Sequence, residues 1–322
     1  MGKLKMLSLF SGIGAIEKAL NNLNISVELL GFSEIDEKAI DSYCAVHNVS
    51  KLLNLGDITK INIEKLPTCV DLITHGSPCQ DFSISGKKKG GDEGSGTRSS
   101  LMWNTVEIVS HCKPKYVLWE NVAGVLLEQN RHNFDKYIST LESFGYKNFY
   151  DVLNARQFGL PQNRERLFVL SVRNDIDLEY TFPTGEWDIT TLGDFLDDEV
   201  DDRFIVKKHN SPRMTKNYLQ YDNSGKGYNS QAARAYYINK FMCTLPKCNG
   251  GDKTQVLLST NPNVIRRITP MEAWRLMGFD DVDYNTASKT KQTMGSLYGQ
   301  AGNSICVPVV QAILKELLND DL

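Results

Sequence analysis

Between residues 6 and 144 short apolar runs alternate with stretches whose apolar positions recur at helical spacing, and this alternation limits the fold more than any other feature. Residues 6–10 (MLSLF) lead through glycines to Ile16, Ala19, Leu20 and Leu23. Residues 27–32 lead into 37–47, residues 70–75 lead through a long polar loop into 101–111, and residues 116–119 lead into a helix near 133–144. Strands that are apolar along their whole length are buried on both faces, as happens when helices cover a parallel sheet from both sides. The expectation is an α/β, doubly wound fold. Residues 149–154 and 166–172 are also extended, with only ARQFGLPQNRE between them. That is too short for a crossover helix, so an antiparallel edge is expected.

From about Thr184 the alternation breaks up. Residues 186–202 carry eight acids and no base, whereas residues 203–262 carry ten Lys and Arg against Asp222 and Asp252. A basic, Asn-, Gly- and Tyr-rich stretch of this kind suits a small separate domain with a nucleic-acid face, and a solvated lysine-rich surface is the alternative. The formal net charge of −3 excludes a uniformly basic nucleic-acid binder but says nothing about how charge is distributed. Beyond it, TPMEAWRLMGF (269–279) reads as a capped helix ended by Gly278, and 305–318 is apolar at helical spacing. With 322 residues, the chain has room for one large domain, or one large and one small. No apolar run approaches the ~20 residues needed to cross a bilayer, and the first residues lack a secretory pattern, so a cytoplasmic protein without a membrane partner is expected. The seven cysteines are scattered and form no C-x-x-C pair, and Cys243 and Cys248 have too few histidines near them for a tetrahedral site. Free thiols and no metal are expected.

FSGIG (10–14) forms a glycine turn between strand and helix, where backbone can approach a ligand. Gly12 and Gly14 are followed by Glu17 where a dinucleotide fingerprint needs a third glycine, which disfavours a pyrophosphate. Glu34 ends the second strand, where an acid can bind ribose hydroxyls. Asp57, after a third expected strand and beside Ile58, can take an adenine amino group. A nucleoside ligand without a pyrophosphate fits all three, and S-adenosylmethionine is the candidate. Cys79 follows Pro78 at the carboxyl end of an apolar strand and precedes a polar stretch, so it is placed as a nucleophile. Cys44, Cys69, Cys112 and Cys306 read instead as small buried hydrophobes. Glu120 and Asn121 sit at another strand end with Trp119 alongside, where desolvation raises the affinity of Glu120 for a proton. Arg164 and Arg166 alternate along an incoming strand and are expected to point the same way, toward a carbonyl oxygen and a phosphate.

In this order the residues resemble the DNA (cytosine-5)-methyltransferases. FSGIG resembles the family's cofactor turn, GSPCQDFS its catalytic loop, ENV its glutamate motif, QNRER its arginine motif and YGQAGNSI (298–305) its closing motif. The match covers residues 4–185 and 264–318. The resemblance implies a Rossmann-like S-adenosylmethionine-dependent methyltransferase fold. Residues 1–185 form the first part of the catalytic domain, 186–263 an inserted, smaller target recognition domain, and 264–322 complete the catalytic domain. It implies that Cys79 adds to cytosine C6, Glu120 serves N3 and the exocyclic amine, Arg166 the base O2, and Arg164 the loop and a phosphate. Phe10, Gly12, Gly14, Glu34, Asp57, Ile58, Pro78 and Asn303 are carried over to the cofactor. Gln80, Ser85, Lys87, Lys88, Arg98, Lys226, Arg234 and Thr244 are carried over to DNA. The implied partner is double-stranded DNA, with the base flipped from the duplex by a monomeric enzyme; pairing with a restriction endonuclease, a phage setting and solitary action are all compatible with the resemblance. A transfer-RNA cytosine methyltransferase is one alternative, because Cys243 directly precedes Thr244 in FMCTLP; a silent DNA-binding homologue is another.

Overall fold

The computed structural model describes residues 2–78, 91–206, 213–214, 218–220, 234–247, 255–257 and 265–318. Two compact units share the chain. The first takes Met1–Leu153, Glu165–Thr184 and Val309–Leu322; the second takes Asn154–Arg164 and Gly185–Pro308.

In chain order the first unit holds β1 (Leu4–Leu9), α1 (Ala15–Asn22), β2 (Val27–Ser33), α2 (Glu37–His47), β3 (Leu72–His75), α3 (Met102–Cys112), β4 (Tyr116–Val122), α4 (Glu128–Ser143) and β5 (Tyr146–Asn154). After β6 (Gln162–Asn163), which belongs to the second unit, comes β7 (Glu165–Arg173). The six-stranded sheet runs β2-β1-β3-β4-β7-β5. β1 is parallel to β2 and β3, and β3 is parallel to β4, whereas β7 runs antiparallel to β4 from Tyr116↔Val172 to Val122↔Arg166. The doubly wound core and its antiparallel side therefore match the alternation of the sequence. Leu7, Ile73, Val117, Trp119 and Val169 lie in one buried cluster with helix residues Val106, Val109 and Leu141.

Local chemistry sets the element ends. Asp36 caps α2 by accepting from the N–H groups of Lys38 (3.0 Å) and Ala39 (3.4 Å). Residues 51–65 form three single 3-10 turns, because Ser50 and Asp57 bind the N–H groups two residues on and pull the backbone away from a ladder. The strand expected before Asp57 is thus replaced by a turn. Cys112 and Cys306 are buried and burial pushes the Cys112 thiol up to about 11, but Cys69 is exposed, 3.9 Å from Lys5 Nζ. Its place in the turn before Leu72 puts it outside the core, which corrects the expectation of a buried thiol.

The second unit holds β6, β8 (Arg213–Met214), β9 (Tyr218–Gln220), β10 (Arg234–Tyr237), β11 (Met242–Cys243), β12 (Gln255–Leu257), β13 (Ile265–Arg267), α5 (Pro270–Arg275), α6 (Asp281–Ser288) and α7 (Met294–Asn303). One sheet runs β13-β12-β10-β9-β8, and β11 pairs with β6. Thr269 and Glu272 form a capping box at α5. Arg266 and Glu272 form a fully buried ion pair at 2.7 and 2.8 Å, and Glu272 also accepts from Asp197 N (2.8 Å). Arg275 joins Asp197 and Asp281 at 2.8 and 2.6 Å. These bonds attach the acid-rich segment to α5, so by compactness residues 264–308 go with 186–263. The chain rejoins the first unit only at Val309, within α8 (Val307–Leu317). Among the described residues no helix is long and apolar enough to cross a membrane.

Candidate active site

The turn after β1 is folded back on itself by three left-handed residues, Phe10 (φ 55°), Gly12 (φ 56°) and Gly14 (φ 80°). Phe10 pays a steric penalty of about 1–2 kcal/mol there, offset by packing of its ring on the core. A Cβ at Gly14 would run into His47 Nε2, which lies 3.0 Å from Ile13 O. Gly12 has open space where a Cβ would stand. Gly12 N donates to Glu34 Oε2 (3.0 Å), while Glu34 Oε1 accepts from Ile35 N (2.8 Å) and Asp36 N (3.0 Å). The carboxylate is therefore fixed on backbone donors beside the glycine turn. Asn54, which sequence reasoning missed, accepts from Glu34 N (3.2 Å) and Gly56 N (3.0 Å) and donates to Glu34 O (3.1 Å). It ties the end of β2 to the Asp57 turn, and the Asn-Leu-Gly spacing is the one hint of it in the sequence. Hydrogen bonds from Thr59 hold the Asp57 carboxyl below the usual range. Ile58 packs its side chain into the core. Glu17 is held by Tyr43 OH at 2.7 Å.

β3 ends at His75, and residues 76–78 carry the chain to Pro78. Ser77 is buried and receives hydrogen bonds from Trp119 and Asn121. On β4, Trp119 and Asn121 share one face, while Glu120 points to the other. Trp119 stacks on His75 (centroids 5.7 Å apart, planes at 2°) and packs on Tyr137, so it does not cover Glu120 as expected from adjacency. Glu120 Oε1 is instead 3.0 Å from Arg166 Nε, with both side chains mostly buried.

Arg164 and Arg166 do not share a face. β7 starts at Glu165, so Arg164 precedes the strand. It is buried in the second unit, donating to Leu245 O (3.2 Å), Gly302 O (3.2 Å) and Ser304 O (2.8 Å). Its guanidinium is thus engaged with backbone carbonyls of the Thr-Leu segment and the closing motif. Thr244 donates to Asn163 O at 2.8 Å. Arg234 lies over the Tyr218 ring at 4.9 Å, and Tyr236 OH donates to Cys243 Sγ at 2.7 Å, with burial pushing that thiol up. Asn303 is exposed at the end of α7, and Arg98 is exposed at the start of the turn leading into α3. Cys79, Gln80, Ser85, Lys87, Lys88 and Lys226 lie outside the described residues.

The family described as C-5 cytosine-specific DNA methylase matches residues 4–319. The type II methyltransferase M2.ScrFI of Lactococcus lactis subsp. cremoris is 32% identical over 98% of this chain and 99% of its own length. The orphan methyltransferase M.SPRI of Bacillus phage SPR is 29% identical over 99% and 98%. Among solved structures, the S. pombe Dnmt2 methyltransferase shares the fold, with a TM-score of 0.75, 23% identity and 99% of each chain covered. A glycine turn braced on Glu34, a strand-end proline before Cys79 and a Glu120–Arg166 pair thus recur in the order of one enzyme family, and the chain belongs to the C-5 cytosine-specific DNA methylases.

Proposed function

We propose that this enzyme methylates C5 of a cytosine flipped out of duplex DNA, with Cys79 as the nucleophile. The observation that carries the reading is the Glu120–Arg166 pair at the carboxyl end of β4, in the sheet whose β3 leads to Pro78 and Cys79. The Cys79 thiolate forms a bond to C6, and the C5–C6 π pair moves to C5. Arg166 donates to the base O2, and Glu120 accepts from the exocyclic amine and shares a proton with N3, which stabilises the charge that develops on the ring. After C5 has gained its methyl group, loss of the C5 proton to water restores the double bond and expels Cys79.

The first unit fits S-adenosylmethionine: Gly12 leaves open space, Glu34 is fixed beside it, and the buried Ser11 Oγ has no partner in the turn. Phe10, Gly12, Gly14, Glu34, Asp57, Ile58, Pro78 and Asn303 would hold it. When bound, it supplies an electrophilic methyl group. Residues 186–263 act as the target recognition domain, with Lys226, Arg234 and Thr244 toward DNA, and Gln80, Ser85, Lys87, Lys88 and Arg98 contact the strand near the flipped base. The enzyme is a cytoplasmic monomer; relatives named type II methyltransferases support work beside a restriction endonuclease, and relatives named orphan methyltransferases support solitary action.

Transfer of labelled methyl to duplex DNA and to transfer RNA tests the reading. Incorporation into transfer RNA alone overturns it. Cys79→Ser abolishes transfer while specific DNA binding persists, and full turnover in that variant refutes the nucleophile assignment. Bisulfite sequencing of a host genome expressing the enzyme gives the target sequence.

A further inference from the structure

In the second unit the β11–β6 ladder is short, with Met242 paired to Gln162 and Cys243 to Asn163, and past Cys243 side chains take over from it. Thr244 Oγ1 donates to Asn163 O (2.8 Å), Leu245 N donates to Gln162 Oε1 (3.1 Å), and Leu245 O accepts from Arg164 Nη1 (3.2 Å). Pro246 has no N–H to offer, and its backbone lies instead against Gly302, where a Cβ would come within 2.3 Å of Pro246 O and 2.8 Å of Lys247 N. Leu245 is buried while Thr244 is only half-buried, so the segment sinks its leucine and keeps its threonine accessible. The carboxamide of Gln162 is fully buried, and its partners fix which way it faces. Leu276 O can only accept, so Nε2 faces it at 2.5 Å, with Met277 Sδ at 3.3 Å and Cys306 Sγ at 4.0 Å; Leu245 N can only donate, so Oε1 faces it.

We infer that Gln162 and Gly302 form a seat for Leu245 and Pro246 that sets how Thr244 meets DNA, with Gln162 as a positioning residue for target binding. The inference rests on the reading of Thr244 as a DNA contact. Gln162 joins the end of α5 to the Leu245 backbone through one amide, and an apolar side chain of its size would fill the space while leaving both backbone groups without a partner. Gly302 acts by being small: any side chain there displaces the Pro246 backbone, two residues from Thr244. The glutamine of the arginine motif and a glycine of the closing motif thus converge on three consecutive residues of the Thr-Leu segment.

The test compares the full-length wild type with Gln162→Met, Thr244→Ala and the double variant, using unmethylated genomic DNA and labelled S-adenosylmethionine. In Gln162→Met, KM for DNA is expected to rise about tenfold, with KM for cofactor within about twofold of wild type. Hydrogen exchange at the Leu245 amide is expected to speed up about tenfold. Thr244→Ala is expected to raise KM for DNA to a similar degree, and the double variant no further than the worse single variant, whereas a bond that only stabilised the fold would cost the same in both backgrounds. Wild-type KM for DNA in Gln162→Met overturns the inference, as do losses that multiply in the double variant. Gly302→Ala leaves the amide in place and pushes on Pro246, so it repeats the cycle if Gln162→Met fails to fold. A rise in KM for DNA of about threefold or more that disappears in the Thr244→Ala background is then expected, and no rise, or equal rises in both backgrounds, overturns the inference. If Thr244→Ala alone keeps the wild-type KM, or the wild type transfers no methyl to DNA, the reading of the DNA contact fails and the inference with it, while Leu245 exchange in Gln162→Met separately decides whether the seat exists.

Discussion

Replacing Arg164 by methionine separates a scaffold role from a phosphate contact. The side chain is 3% exposed and donates to three backbone carbonyls, two at 3.2 Å and one at 2.8 Å. A hydrogen bond to a charged group contributes about 1.5–3 kcal/mol, and three that share one guanidinium do not add fully. The methionine stem refills most of the volume, but the carbonyls of Leu245, Gly302 and Ser304 lose their donor inside the second unit. The expected destabilisation is about 3–5 kcal/mol. With a urea m-value of about 2 kcal/mol/M, that lowers the unfolding midpoint by about 2 M. Arg164→Lys, which keeps a charge without the planar fork, is expected to fall between the two. The second measurement is the salt dependence of DNA binding, where one lost phosphate contact reduces the slope of log K against log [salt] by about 0.9. An unchanged midpoint together with that reduced slope would refute the argument.

Three further outcomes are expected. Gly14→Ala combines a left-handed φ with a clash against His47 Nε2, and calorimetry is expected to show at least about tenfold weaker cofactor binding; unchanged binding would contradict the role of the turn. Burial holds His75 neutral, with its imidazole pulled down to about 3. The unfolded chain therefore takes up the proton first, so this contribution is complete above about pH 6.5 and is lost as pH falls toward 3, with about 2 kcal/mol gone at pH 5. His75→Gln should flatten that part of the urea-stability profile, and an identical profile would contradict the assignment. Glu272→Gln leaves Arg266 buried without its counter-charge, at a cost of about 3–5 kcal/mol in the same unfolding assay; a shift below about 1 kcal/mol would show that the guanidinium is satisfied by the Asp197 and Arg267 carbonyls alone.

The order of strands and helices was legible because strands buried on both faces are apolar throughout and cannot be mistaken for polar turns. The same logic failed around Asp57, where short capped turns carry no periodicity at all. Glycine positions were legible at the cofactor turn because left-handed φ values demand them. Asn54 and Ser77 were not, since each bonds a group far from it in sequence, Asn54 the backbone of Glu34 and Ser77 the indole of Trp119. The arginine pair shows how a spacing argument breaks. An interval of two means a shared face only when both residues lie in the strand, and the strand begins between them. Glu120 and Trp119 show the reverse case, neighbours in sequence that a strand turns to opposite faces.

α8 has a consequence for synthesis. Its apolar face, including Val310, Ile313 and Leu314, is fully buried, and Ile313 O accepts from Tyr180 OH at 3.1 Å. More than a hundred residues of the second unit are translated between Tyr180 and that partner. At about 5–20 residues per second, Tyr180 waits roughly ten seconds for that partner. A ribosome-bound chaperone that shields apolar surface is expected to raise the yield of active enzyme most when translation is slow between residues 185 and 308.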